Sequence, residues 1–142
     1  ADCVCAPIDL DAAAKRWPIE AADAVVCINM VHIAPWSACE GLMKGAGRIL
    51  AAGAPLILYG PFRRADLPTA PSNEAFDASL KDRDPRWGLR DLETVTALAA
   101  ENGLALDRVI DMPANNIAVV YRRSSTTTGV SARRSRCSRQ TM

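Results

Sequence analysis

The sequence is poor in aromatic residues, has one histidine and has no apolar run long enough to cross a bilayer. Each shortage narrows what it can be. At 5% aromatic, the core of this 142-residue chain must be built from aliphatic side chains and alanine, and is thin for the chain length. No apolar run approaches the ~20 residues of a membrane span, and the first residues lack a basic segment followed by an apolar one, so neither a membrane nor secretion is expected. The cysteines (Cys3, Cys5, Cys27, Cys39 and Cys137) are odd in number and without framework spacing, which argues for reduced thiols in a cytoplasmic protein. Cys3-Val4-Cys5 with His32 falls short of the tetrahedral set zinc requires, so no metal is expected. A G-x-S-x-G elbow is missing, which removes a serine hydrolase, and Cys27 or Cys39 with His32 lacks an orienting partner at any recognisable spacing. No initial methionine is present, and the expectation is a fragment.

What is there is a globular composition, 49% hydrophobic and 23% charged, of one domain's length. The net charge of +1 conceals an asymmetry: residues 1–123 carry 13 basic groups against all 16 acidic ones, and four arginines follow. Residues 124–142, rich in Ser, Thr and Arg, hold too little apolar surface to offset the entropy of ordering and are expected to be a disordered tail. Its four charges, without aromatics, give no reason to expect nucleic acid as a partner.

The rest is organised around Asp23–His32. Ala24 to Ile28 are apolar without alternation, the pattern of a central strand with both faces covered; polar Asn29 and His32 then appear where such a strand ends and where open α/β sheets bind ligands. Before it, Cys3-Val4-Cys5 and Ile8 suggest the end of another strand, and residues 11–16 a helical turn stopped by Trp17-Pro18. After Pro35, Trp36, Cys39, Leu42, Met43, Ala46, Ile49 and Leu50 recur at helical spacing. Ser37 and Glu40 have the spacing of a capping box, and Gly53 supplies a stop. Gly41, Gly45 and Gly47 inside this helix predict close packing of its backbone against a neighbour. Residues 55–60 read as a second buried strand. Residues 63–90 form a long loop with one helical insert capped by Ser72-Asn73, and Asp91 caps a further helix closed by Gly103. The runs 104–112 and 117–121 have a four-residue joint, too short for a parallel return, so they predict an antiparallel hairpin.

Strand, helix, strand, loop, helix and terminal hairpin resemble the second half of the class I S-adenosylmethionine-dependent methyltransferase fold. The stretches Ala22–Trp36, Tyr59–Phe62 with Ser72–Leu80, Arg83–Glu93 and Met112–Asn116 resemble, more narrowly, the methyltransferase-like protein 26 family, long catalogued as a domain of unknown function. The resemblance covers roughly residues 7–123. It implies an α/β, partial Rossmann-like sheet with family strand order 4-5-7-6, the last strand antiparallel, lacking the first two βα units. No G-x-G occurs before Gly41, so the loop that holds the methionine end of the cofactor in that fold is absent.

By resemblance, S-adenosylmethionine is the cofactor. Asp11, or else Asp9, is the acidic position near the adenine; Asn29, Met30 and His32 line the cofactor and face the substrate; and Tyr59, Asn73, Asn115 and Asn116 are candidates for the substrate side. His32 is the candidate catalytic base, if the acceptor is protonated, or else a hydrogen-bonded structural residue. The acceptor is unnamed, with a small molecule favoured. Without strands one and two the 24–30 strand has an exposed apolar edge, which predicts dimerisation through that strand or poor order in residues 1–17. The competing reading is a non-catalytic remnant that keeps the scaffold, acts as an interaction module and binds no cofactor.

Overall fold

The computed structural model describes residues 3–125. The expected tail lies, from residue 126 on, outside the described residues. In chain order the elements are β1 (Val25–Ile28), α1 (Trp36–Ile49), β2 (Pro55–Gly60), α2 (Pro71–Arg83), α3 (Leu92–Glu101), β3 (Leu104–Met112) and β4 (Asn116–Arg123). They form one mixed sheet in the order β1-β2-β4-β3. β1 and β2 run parallel, joined through α1; β4 is antiparallel to both β2 and β3. This is the partial Rossmann-like arrangement, antiparallel last strand included, that the sequence led us to expect. The hairpin joint is a single 3-10 turn, Pro113–Asn115, in which Ala114 and Asn115 both take positive φ near 60°.

The core lies on one face of the sheet. Leu56 and Leu58 of β2 and Ile117, Val119 and Tyr121 of β4 meet Cys39, Leu42, Met43 and Ala46 of α1 and Val95 and Ala99 of α3. Aliphatic residues predominate, and burying each large one contributes about 1.5–3 kcal/mol. Tyr121 is fully buried and spends its hydroxyl on Thr96 at 2.9 Å.

The helix glycines serve the close approach foreseen for them. A Cβ on Gly41 would stand 2.0 Å from the Ala12 carbonyl oxygen, one on Gly45 2.2 Å from the Trp17 ring, and one on Gly47 2.4 Å from the Asn102 carbonyl. The turn at residues 11–14, closed by the Ala14 N–H on the Asp11 carbonyl at 3.0 Å, thus lies directly on the α1 backbone.

β1 has the exposed edge expected of it: among the described residues it pairs only with β2, and Val26 and Ile28 are 60% and 62% exposed on the face opposite the helices, so its apolar run is not that of a strand covered on both faces. Other local expectations are corrected. Residues 4–10 form no strand and lie exposed. The Ser37–Glu40 capping box does not form. Pro35 occupies the N-cap with φ −59° and ψ 155°, which puts Ser37 two positions too far into the helix, and α1 ends at Ile49 with Leu50 as C-cap. Likewise Ala70, not Ser72-Asn73, caps α2, because Pro71 takes the first helical position, where its fixed φ suits it. Asp91 does sit at the N-cap of α3, though without a side-chain bond.

Candidate functional site at the carboxyl ends of β1 and β2

The chain leaves β1 through a tight turn. Asn29 still extends the ladder, its N–H donating to the Tyr59 carbonyl at 2.8 Å, but its φ is +60°, and the Met30 N–H returns to the Ile28 carbonyl at 2.8 Å. That bond closes a three-residue turn with positive φ, a strained conformation of the kind that gathers at functional sites. The His32 N–H then donates to the Asn29 carbonyl at 3.0 Å. Winding the backbone this way turns both polar side chains inward, toward Gly60 at the end of β2.

His32 is completely buried, its ring edge-on to Phe62 with centroids 4.5 Å apart. Nδ1 accepts the Arg90 N–H at 3.0 Å, so in the neutral ring the proton resides on Nε2. Burial, reinforced by the Arg90 charge, lowers the imidazole to about 4, against a slight opposing effect of the Gly88 backbone. Nε2 has no hydrogen-bond partner, nor does the buried Oδ1 of Asn29. Both face one spot: a Cβ added to Gly60 would lie 2.7 Å from Nε2 and 3.1 Å from Oδ1. A buried donor and a buried acceptor without partners thus face the bare Cα of Gly60, where a side chain would clash with the His32 ring.

Arg90 holds this loop in place. Its Nε donates to the Val31 carbonyl at 2.9 Å, and one Nη to the carbonyls of Ala34 at 2.8 Å and Arg86 at 2.9 Å; the guanidinium lies over the Trp36 ring at 5.5 Å. Beside it, Asp77 is buried, accepting the Leu89 N–H at 2.9 Å on Oδ1 and, on Oδ2, Lys81 at 2.7 Å and Arg63 at 3.0 Å. Burial alone would raise its carboxyl; these bonds outweigh burial and lower it. Arg63 also clasps Glu74 with two bonds, at 2.8 and 2.9 Å. The sequence pattern assigned no role to Arg90, Arg63 or Asp77.

The remaining candidates divide. Asn73, Asn115 and Asn116 come together around a cavity of about 200 Å³ at the end of β3, where Phe62, Leu67, Met112 and Ile117 also line it. Asn73 Nδ2 donates to the Asn115 carbonyl at 3.2 Å, tying α2 to the hairpin turn, and Asn116 Nδ2 donates to the Pro113 carbonyl at 3.2 Å. Tyr59 stands elsewhere: it pairs with Ile28 and Ala118 in the row on the open face of the sheet, away from the helices. Met30 is half-buried against the core. Asp11 stands apart on its exposed turn, Oδ1 accepting the Ala13 N–H at 3.0 Å. Burial pushes the Cys39 thiol up to about 12, an unreactive sulfur. Among the described residues no His, Cys, Asp and Glu cluster could hold a metal, and no helix is long and apolar enough to cross a membrane.

The structure is similar to solved O-methyltransferases at identities that establish the fold alone. An O-methyltransferase family protein from Burkholderia thailandensis matches at 17% identity and a TM-score of 0.63, over 74% of this chain and 31% of that one. An O-methyltransferase family 2 protein from Planctomyces limnophilus, solved with apigenin, matches at 20% and 0.66, over 75% and 31%. Human N-acetylserotonin methyltransferase, solved with SAM, matches at 13% and 0.68, over 78% and 32%. This chain therefore spans about a third of the length of the structures it matches. Residues 1–123 match a family described as "Protein of unknown function (DUF938)".

Proposed function

Because the chain belongs to the DUF938 family of proteins of unknown function, its activity has to be argued from its own geometry, and we propose that it forms the acceptor-facing part of an S-adenosylmethionine-dependent methyltransferase of the methyltransferase-like protein 26 family. The observation that carries this reading is the convergence of Asn29 Oδ1 and His32 Nε2, both buried and unpartnered, on Gly60 at the carboxyl ends of two parallel strands. Ligands of open α/β sheets collect outside such strand ends.

The polar atoms present fit one side of such a cofactor, which when bound supplies an electrophilic methyl group on a sulfonium. Asn29 Oδ1 would accept a hydrogen bond from it, Met30 would flank it, and Asp11 would take its adenine end. His32 would act on the acceptor as a donor through Nε2. A base at Nε2 requires the tautomer protonated at Nδ1, and the Arg90 N–H occupies that nitrogen. The protein's work is then alignment of the reactants. A small molecule is the proposed acceptor and the cytoplasm the proposed location.

Titration calorimetry of S-adenosylmethionine into the whole chain tests this. The polar atoms present reach one side of the cofactor only, so we expect weak binding by these residues, with Kd of about millimolar order, and no measurable methyl transfer. Gly60→Ala, which fills the space between Asn29 and His32, should weaken binding by about tenfold or more. The scaffold reading expects no heat from either protein, and that result overturns the cofactor site.

We also propose self-association through the β1 edge, supported by the exposure of Val26 and Ile28. Sedimentation velocity should show a dimer that Val26→Lys disperses, since a charge on an edge strand opposes pairing. A monomer at all concentrations refutes it.

A further inference from the structure

The cavity beside the hairpin turn holds a cation that none of the arguments above uses. Arg64 lines it together with Phe62, Leu67, Asn73, Asp111 and Met112, and its Nε is buried without a hydrogen-bond partner. Two carboxylates approach the guanidinium, Asp66 at 3.5 Å from Nε and Asp111 at 3.6 Å from one Nη. Neither makes a hydrogen bond with good geometry, and their side chains are 66% and 90% exposed, where water screens them. The Arg64 side chain is itself only 25% exposed. A guanidinium three-quarters withdrawn from water, with its Nε unpartnered and only exposed carboxylates near it, has donors left for an oxyanion, and a planar carboxylate matches their fork. Apolar Phe62, Leu67 and Met112 complete the wall. At about 200 Å³ the cavity is smaller than the pockets that take drug-sized ligands.

We infer that this cavity binds a small carboxylic acid with an apolar body, its carboxylate on Arg64 and its hydrocarbon part against Phe62, Leu67 and Met112. Resting on the methyltransferase reading, this makes Arg64 a specificity residue for the acceptor, with Asn73 and Asn115 as the polar rim.

The test uses benzoate and its neutral isostere benzamide, titrated into the whole chain without cofactor and followed by the Arg64 Nε–H and asparagine side-chain NMR signals. Benzoate should shift these signals saturably, with Kd of roughly millimolar order, and benzamide should leave them in place. Arg64→Gln should weaken benzoate by about tenfold or more. Asp111→Asn removes a competing, exposed carboxylate without threatening the fold, and should tighten benzoate by about twofold or more. That opposite sign is one a merely structural role for Arg64 does not produce, and it keeps the test decisive if Arg64→Gln fails to fold. Equal shifts from benzamide, no saturation at tens of millimolar benzoate, or an unchanged Kd in Asp111→Asn overturns the inference. None of these outcomes touches the binding of S-adenosylmethionine, so failure here and failure of the methyltransferase reading are separable.

Discussion

Asp77→Ala should lower the unfolding free energy by about 3 kcal/mol, the largest loss expected from any single polar side chain in the described structure. Asp77 is 5% exposed and joins three segments: its own helix through Lys81, the segment after β2 through Arg63, and the loop before α3 through the Leu89 N–H. Truncation leaves the Leu89 N–H buried without an acceptor, which costs about 1–3 kcal/mol, and two cations without their shared counter-charge. Lys81 is 56% exposed and Arg63 keeps Glu74, so their share is small, and the total stays at the lower end of the range for broken buried pairs. Asp77→Asn, which still offers Leu89 an acceptor, should lose about half as much. Urea unfolding followed by circular dichroism measures both; a truncation within about 0.5 kcal/mol of the parent would mean that the network contributes nothing net.

Stability should also fall as pH drops from 6.5 toward about 4, by about 3 kcal/mol in all. Folding lowers the affinity of His32 for a proton, so through this window the unfolded chain takes up a proton that the folded chain refuses. Above 6.5 neither state is charged and the histidine is without effect; below about 4 both are charged and the loss levels off. His32 is the only histidine, so no other imidazole contributes. The lowered carboxyl of Asp77 acts in the same direction but further down, since its stabilisation is complete above its ordinary value of 3.8 and is lost only as pH falls below it. His32→Asn keeps an acceptor for the Arg90 N–H and does not titrate. Its unfolding midpoint in urea should be flat across the window where the parent slopes. A slope that survives the substitution would assign it to other groups.

How far the sequence could be read depended on whether the deciding contacts were near or distant in the chain. β2 was legible to the residue because proline and glycine bracket an uninterrupted apolar run, and the hairpin because four residues cannot carry a chain through a parallel return. Helix starts were misplaced for one reason in both α1 and α2: a proline fixed the entry one or more residues ahead of the side chains that looked like caps. The apolar run of β1 reads by itself as a central strand, because such a run records that a strand was shaped for burial, not that both neighbours are there; the exposed edge followed from the resemblance. At the site, Asn29 and His32 stood out as polar residues at the end of such a run. Arg90 did not, because its bonds to Val31 and His32 cross 59 and 58 residues and no periodicity marks them. Asn73 and Asn115 came only from resemblance; their contact spans 42 residues.

The order β1-β2-β4-β3 has a consequence for synthesis. The last of the described strands is not added at the margin: β4 slots between β2 and β3, contributing Ile117, Val119 and Tyr121 to the interior. While the ribosome has yet to release those residues, β2 has a partner on one side only, β3 has none, and α1 and α3 rest on a gap. The nascent chain must therefore wait, with its greasy surfaces uncovered, for this keystone, and a stop codon just before residue 116 costs two strands' pairing, leaving β3 without a partner and β2 held by β1 alone.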